Sequence, residues 1–230
     1  DASVHLATVD SLVQDVHFSL SLTSWEELGW RALAANLSDI AAMGGVPRYA
    51  LVSLALPGYT EVDDVVALYT GMAELADEFG VLLVGGDTSS ASIVAITITV
   101  LGSVRNGENH MLTRSAAQSG EKVAVTGYLG AAGAGLEMLR DKLQFAPEVA
   151  DHLGKAFLRP RPRVAEGQIL VEHGVKVAID ISDGLVSDLR HICELSQVSA
   201  RIEVDRVPVD PVVRGSFGDR SLGLALSGGE

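Results

Sequence analysis

The chain has 230 residues, 47% of them hydrophobic, and a formal net charge of −13 at pH 7. That length and apolar content can bury one large core or two smaller ones, which excludes disorder as the default, and the acidic balance speaks against a nucleic-acid partner, whose affinity draws on clustered Lys and Arg. The single cysteine, Cys193, rules out a disulfide framework within the chain and fits a reducing cytoplasm, and no run of about 18 apolar residues or charged-then-apolar leader points to a membrane.

Residues 4–10 alternate as a strand does and run through Ser11-Leu12-Val13 into the polar loop Gln14-Asp15-Val16-His17-Phe18. Ser24 with Glu27 three residues on matches a capping box, and the Ala- and Leu-rich residues 25–43 predict a buried helix stopped by Gly44-Gly45-Val46-Pro47. Residues 49–56 are a continuous apolar run, hence a strand, and Val62, Val65, Val66, Tyr69, Met72, Ala73, Ala76 and Phe79 then recur at helical spacing up to Gly80. A short strand over 81–84, a turn at Gly85-Gly86-Asp87-Thr88 and a long strand over 93–104 complete a first half of α/β character. The polar stretch 106–120 marks a boundary near Ser119, which gives domains 1–118 and 119–230. The second half predicts strands over 122–126, 175–181 and 200–204 and helices over 131–143, 163–173 and 185–195. Both chain ends read as cut, since the sequence opens on a strand and closes on Gly228-Gly229-Glu230.

Asp39 is the most informative position. An ionised carboxylate within so apolar a helix costs several kcal/mol, at least ~2, without compensation, and no Lys or Arg lies one turn away. It either reaches the surface and a neighbouring loop or helps to hold a cation. Three further segments end a strand on an acid: Thr8-Val9-Asp10, Gly85-Gly86-Asp87-Thr88 and Asp180-Ile181-Ser182-Asp183-Gly184. Ligands collect at such strand ends in α/β sheets. Two carboxylates about 5 Å apart repel by roughly 3 kcal/mol at an effective dielectric near 20, so a cluster of them needs cations, and magnesium, a hard ion shared with nucleotide phosphates, suits oxygen donors. Each segment also has a plainer reading: strand-end polarity for Thr8 and Asp10, a tight turn for Gly85 and Gly86, a helix cap for Asp183, a surface cation for Arg114, an ordinary loop histidine for His17. Asp180 and Ser182, two apart on a predicted strand, face one side.

Together these segments, in this order along the whole chain, resemble the thiamine-monophosphate kinase family, within the superfamily of aminoimidazole ribonucleotide synthetase. The resemblance implies an N-terminal domain whose mixed sheet pairs with that of a second subunit into a barrel, a C-terminal α/β sandwich domain, and hence a homodimer in the cytoplasm. It implies magnesium ions held by Thr8, Asp10, Asp39, Asp87 and Asp180, with a further ion near Asp183. ATP contacts fall to Tyr69, Gly86, Asp87, Arg114 and Ser182, and thiamine-phosphate contacts to His17 and Glu230, with Asp39, Asp87 and Asp180 as the catalytic set. The implied reaction is direct in-line attack of a thiamine-phosphate oxygen on the γ-phosphorus of ATP. Val9 departs from the hydroxyl residue common in the family, and the family's upstream acidic pair and C-terminal region are absent from the sequence. Two alternatives accompany this reading: an ATP-dependent ligase of the same superfamily, acting in purine biosynthesis, and a nucleotide-binding module without turnover.

Overall fold

In the computed structural model, which describes residues 4–104 and 111–229, the alternating first segment becomes a single strand, β1 (Val4–Val13). The predicted capping box forms: the Ser24 hydroxyl accepts the Glu27 amide at 3.2 Å while the Glu27 carboxylate accepts the Ser24 amide at 2.9 Å, opening helix α1 (Trp25–Ala42). Strand β2 (Val46–Leu56) follows, then helix α2 (Val62–Phe79), closed by left-handed Gly80 at φ 65°. Strands β3 (Leu82–Ser90) and β4 (Ala95–Val104) complete a four-stranded sheet of order β1-β4-β2-β3. Only β2 and β3 run parallel, joined by α2 as a crossover helix, while β4 is antiparallel to both β1 and β2.

The expected turn at Gly85-Gly86-Asp87-Thr88 is not a turn: β3 runs straight through it. A Cβ on Gly86 would lie 1.7 Å from the Val52 carbonyl oxygen, so glycine is needed there for β3 to approach β2.

The two sheet faces differ sharply. Register rows Asp10–Ile98–Val52–Gly86 and Leu12–Ile96–Leu54–Thr88 look toward the helices, and Ile96, Ile98, Val100, Ala50, Val52 and Leu54 are buried there with Leu33, Leu37, Ile40, Leu68, Met72 and Leu75. The opposite face exposes Val9, Leu51, Leu101, Tyr49 and Leu82. Helices α1 and α2 touch backbone to backbone: a Cβ on Gly29 would sit 1.9 Å from the Leu68 carbonyl oxygen, and one on Gly71 would sit 1.9 Å from that of Glu26.

Two compact units make up the chain, Asp1–Met111 with Pro162–Glu172, and Leu112–Arg161 with His173–Glu230. Helix α5 (Val164–Glu172), although late in the sequence, belongs to the first, where Gly167 lies against the Ala41 carbonyl at the end of α1. The second unit holds α3 (Ala131–Arg140), α4 (Pro147–Leu158), α6 (Leu185–Ser196), α7 (Pro211–Phe217) and α8 (Ser221–Ser227). Its core gathers Leu129, Met138, Leu153, Val209, Val213 and Ala225, and Asp210 caps α7 by accepting the Val212 and Val213 amides while meeting His152 at 3.0 Å. Helix α4 is an element that the sequence reading missed. The strands expected over 122–126, 175–181 and 200–204 do not form ladders; the described residues of this unit show only the isolated bridges Thr113–Val177 and Leu129–Val209. A strand exists through its neighbours' amides and carbonyls, which alternation within one segment does not supply.

Candidate active site

Period-two geometry turns Thr8 and Asp10 to the same, helix-facing side of β1. Asp39 comes down onto them from the penultimate turn of α1, and the Thr8 hydroxyl donates to an Asp39 carboxylate oxygen. The last turn of α1 carries no basic residue. Loss of hydration, and after it the charge of Asp39, pushes the Asp10 carboxyl above the usual carboxylate range, with nearby His17 partly offsetting the shift.

His17 is set by the loop that follows β1. Asp15 takes a left-handed conformation, φ 62°, the His17 amide donates to the Val13 carbonyl at 2.9 Å, and the Val13 amide donates to His17 Nδ1 at 3.1 Å. With Nδ1 accepting, the proton of the neutral ring sits on Nε2, leaving an exposed donor near Asp10. Hard oxygen donors from two carboxylates and a hydroxyl suit magnesium, which is commonly held by one or two carboxylates with the rest of its shell from water and phosphate. Among the described residues no group of three or more His, Cys, Asp or Glu side chains is assembled for a metal ion.

Asp87 is not part of this group within one chain. On the far edge strand β3 it pairs with Ser53 of β2, in the row Ser11–Thr97–Ser53–Asp87, which belongs to the exposed sheet face and includes a Ser11–Thr97 hydroxyl contact of 2.8 Å. Three strand spacings, roughly 14 Å, separate β1 from β3, and Asp10 looks to the other side. Gly86 lies beside Asp87 in β3. Tyr69 is half-buried on α2, its phenol pushed up by burial, in an open groove with Val62, Val65 and Val66.

The remaining candidates lie in the second unit. Arg114 is exposed, and its carbonyl accepts the Ser196 hydroxyl at 2.8 Å. Asp180 is half-buried, while Ser182 and Asp183 are exposed. The cap expected from Asp183 is replaced by Asp188: one of its oxygens accepts the amides of Ser182, Asp183 and Gly184 at 3.0, 3.1 and 3.1 Å. Burial pushes the Asp188 carboxyl up, the amides opposing the shift. The sequence reading passed over Asp188, whose signal was an acid in the first turn of a helix just after an acidic loop. Glu230 lies outside the described residues.

Residues 1–104 match the family model of the AIR synthase related protein N-terminal domain, and residues 118–215 match that of its C-terminal domain. The thiamine-monophosphate kinase of Bacillus subtilis (strain 168) is 40% identical over 207 residues, covering 89% of this chain and 63% of that protein. Its counterpart from Escherichia coli (strain K12) is 39% identical over 227 residues, covering 97% of this chain and 67% of that protein. The chain belongs to the thiamine-monophosphate kinase family. It spans 63% and 67% of the length of these two curated kinases. A solved structure of AaThiL complexed with AMPPCP and TMP superposes with a TM-score of 0.89 at 32% identity, covering 99% of this chain and 73% of that one. The likeness to the kinase structure extends over nearly the whole fold of this chain. Among the described residues no helix is long and apolar enough to cross a membrane.

Proposed function

We propose that the protein transfers the γ-phosphoryl group of ATP to thiamine phosphate, giving thiamine diphosphate and ADP. The observation that carries this reading is the neighbouring carboxylate pair Asp10 and Asp39, with Thr8 donating to Asp39, at the sheet edge of a chain of this kinase family. AMPPCP and TMP, the ligands of the AaThiL complex, match an ATP analogue and the acceptor in this assignment. Magnesium, when bound, neutralises charge on the phosphates and aligns donor with acceptor.

The roles of the chain's own residues follow from their chemistry. Thr8, Asp10 and Asp39 form the metal-facing wall, with Asp87, Asp180 and Asp183 completing the acidic set. Tyr69, Gly86, Arg114 and Ser182 contact ATP. The Nε2 proton of His17, with Glu230, receives the acceptor. The acceptor phosphate is already ionised, so in-line attack asks no side chain to act as a strong base. Asp39, Asp87 and Asp180 act by holding charge in place.

The working unit in this proposal is a cytoplasmic homodimer, with residues 1–118 as the dimerising, magnesium- and ATP-binding domain and residues 119–230 contributing to a C-terminal α/β sandwich. Support for the dimer comes from the exposed sheet face, where Val9, Tyr49, Leu51, Leu82, Val84 and Leu101 are each at least 39% exposed, an apolar surface of the kind that marks an interface. Asp87 lies on that face, so a second copy covering it makes Asp87 a residue given across the interface.

The test is thiamine diphosphate formation by the full-length protein from ATP and thiamine phosphate, with and without magnesium. Magnesium-dependent product supports the kinase. ADP release with an amide acceptor instead would assign the protein to the superfamily's ligases, and ATP binding with no product at all would make it a binding module.

A further inference from the structure

Three consecutive amides, those of Ser182, Asp183 and Gly184, point at one oxygen of Asp188. Successive N–H groups converging in this way make a concave anion-binding nest, the device by which many turns grip phosphate. Here the nest is filled from within: Asp188 is 3% exposed and reaches back from the first turn of α6. The turn is fixed on its other side as well. A Cβ on Gly229 would lie 1.7 Å from the Ser182 carbonyl oxygen, and one on Gly184, whose φ is 118°, would lie 2.8 Å from the Ser227 backbone. The segment 227–229 therefore rests directly on the turn, backbone to backbone.

We propose that Asp188 is a positioning residue that plugs the amide nest of Ser182–Gly184, so that this turn meets its ligand through the side chains of Asp180, Ser182 and Asp183 and thus binds a metal-nucleotide rather than a bare anion. The functional half of this rests on the kinase reading above. The plug has two effects. It denies phosphate oxygens the amides they would otherwise take, and it holds the exposed Asp183 and Ser182 side chains at a constant angle to the segment that leads to Glu230. A side chain without an acceptor oxygen at position 188 frees the nest. The turn then gains affinity for an uncomplexed anion while losing its grip on magnesium-ATP.

The experiment compares the full-length wild type with Asp188→Ala and Asp188→Asn. Inorganic phosphate is titrated as an inhibitor, magnesium-ATP binding is measured by calorimetry, and amide hydrogen exchange is read at residues 182–184. In Asp188→Ala, exchange at the three amides is expected to accelerate about tenfold or more, the KM for ATP to rise by a similar factor with a smaller change in kcat, and inorganic phosphate to inhibit more tightly. Asp188→Asn, whose amide oxygen still accepts, is expected to fall between, and it carries the test if the alanine variant does not fold. Unchanged exchange, or a lower Tm with the KM for ATP and phosphate inhibition both within about twofold of wild type, would overturn the proposal and leave Asp188 a helix stabiliser. Should the wild type make no thiamine diphosphate, the kinase reading fails on its own, while hydrogen exchange and calorimetric magnesium-ATP binding still decide the role of Asp188.

Discussion

Two carboxylates, one in each unit, have their ionised forms opposed by burial yet end in opposite situations. Asp188 receives three amide donors and is pinned by them. Asp10 faces a second carboxylate, Asp39, whose own hydrogen bond comes from the Thr8 hydroxyl. In the proposed function, the difference separates an acid that organises a chain turn from an acid pair that waits for a cation. A protein satisfies a structural carboxylate from its own backbone, whereas a metal-binding one stays in debt until its ligand arrives.

Several substitutions put that contrast to the test. The largest effect is expected from Asp39→Asn: kcat/KM for thiamine diphosphate formation falls by at least about a hundredfold, roughly 2.7 kcal/mol in the barrier, while the Tm without magnesium holds or rises. Asp87→Asn lowers turnover comparably. Mixing these two inactive variants under exchange conditions restores up to about a quarter of wild-type activity if Asp87 is given across a two-fold interface, and restores nothing if both acids serve a site within one chain.

Asp188→Ala comes next, with about 2 kcal/mol of unfolding free energy lost in urea titration because three inward-facing amides lose their acceptor. Equal stability there would erase the distinction drawn above. Magnesium with a non-hydrolysable ATP analogue raises the Tm of the wild type, corresponding to about 1.4 kcal/mol of unfolding free energy at ten times the dissociation constant, and Asp10→Asn shrinks that gain.

The smallest effect is in pH. The folded-state pKa of Asp10 lies above its value in the unfolded chain, so the folded protein holds the proton more tightly and metal-free stability falls as pH rises through the window from about 3.8 upward. Asp10→Asn removes that contribution, and because Asp10 is solvent-exposed the gain at neutral pH stays below about 1 kcal/mol. A wild type and variant with parallel stability curves between pH 4 and 7 would show that Asp10 carries no such strain.

Local signals carried the first unit well. The capping box at Ser24 and Glu27, the stop at Gly44 and the left-handed Gly80 are chemistry that a few residues settle among themselves, and the structure bears out all three. Gly85-Gly86 misled, because glycine serves close strand approach as readily as turning, and the sequence does not say that Val52 would crowd Gly86. The same limit applies to the second unit, where alternating segments have no ladder partner among the described residues. At the candidate site, Thr8 and Asp10 were legible as an acidic segment of a strand, one of the motifs that carry the family resemblance. That Asp39 would meet them depended on how α1 crosses the sheet. Asp87 pointing to the other face depended on a register fixed by a bulge between Ala50 and Leu51. Asp188 was hidden for a different reason: its place in a helix's first turn was a faint signal, and its partners are backbone amides, which side-chain identities do not reveal.

Gly29 and Gly71 give the acid pair a remote control. Since α1 meets α2 with hydrogens alone between the two backbones, the height at which Asp39 hangs over β1 is gauged by two residues that own no side chain. A single methyl group at Gly71 would shove α1 aside by a fraction of its own width, lengthening the span between the acids. If the acid pair holds magnesium as proposed, such a lesion would be felt first as a shift in the preferred divalent ion, with larger ions gaining, although neither acid had been altered.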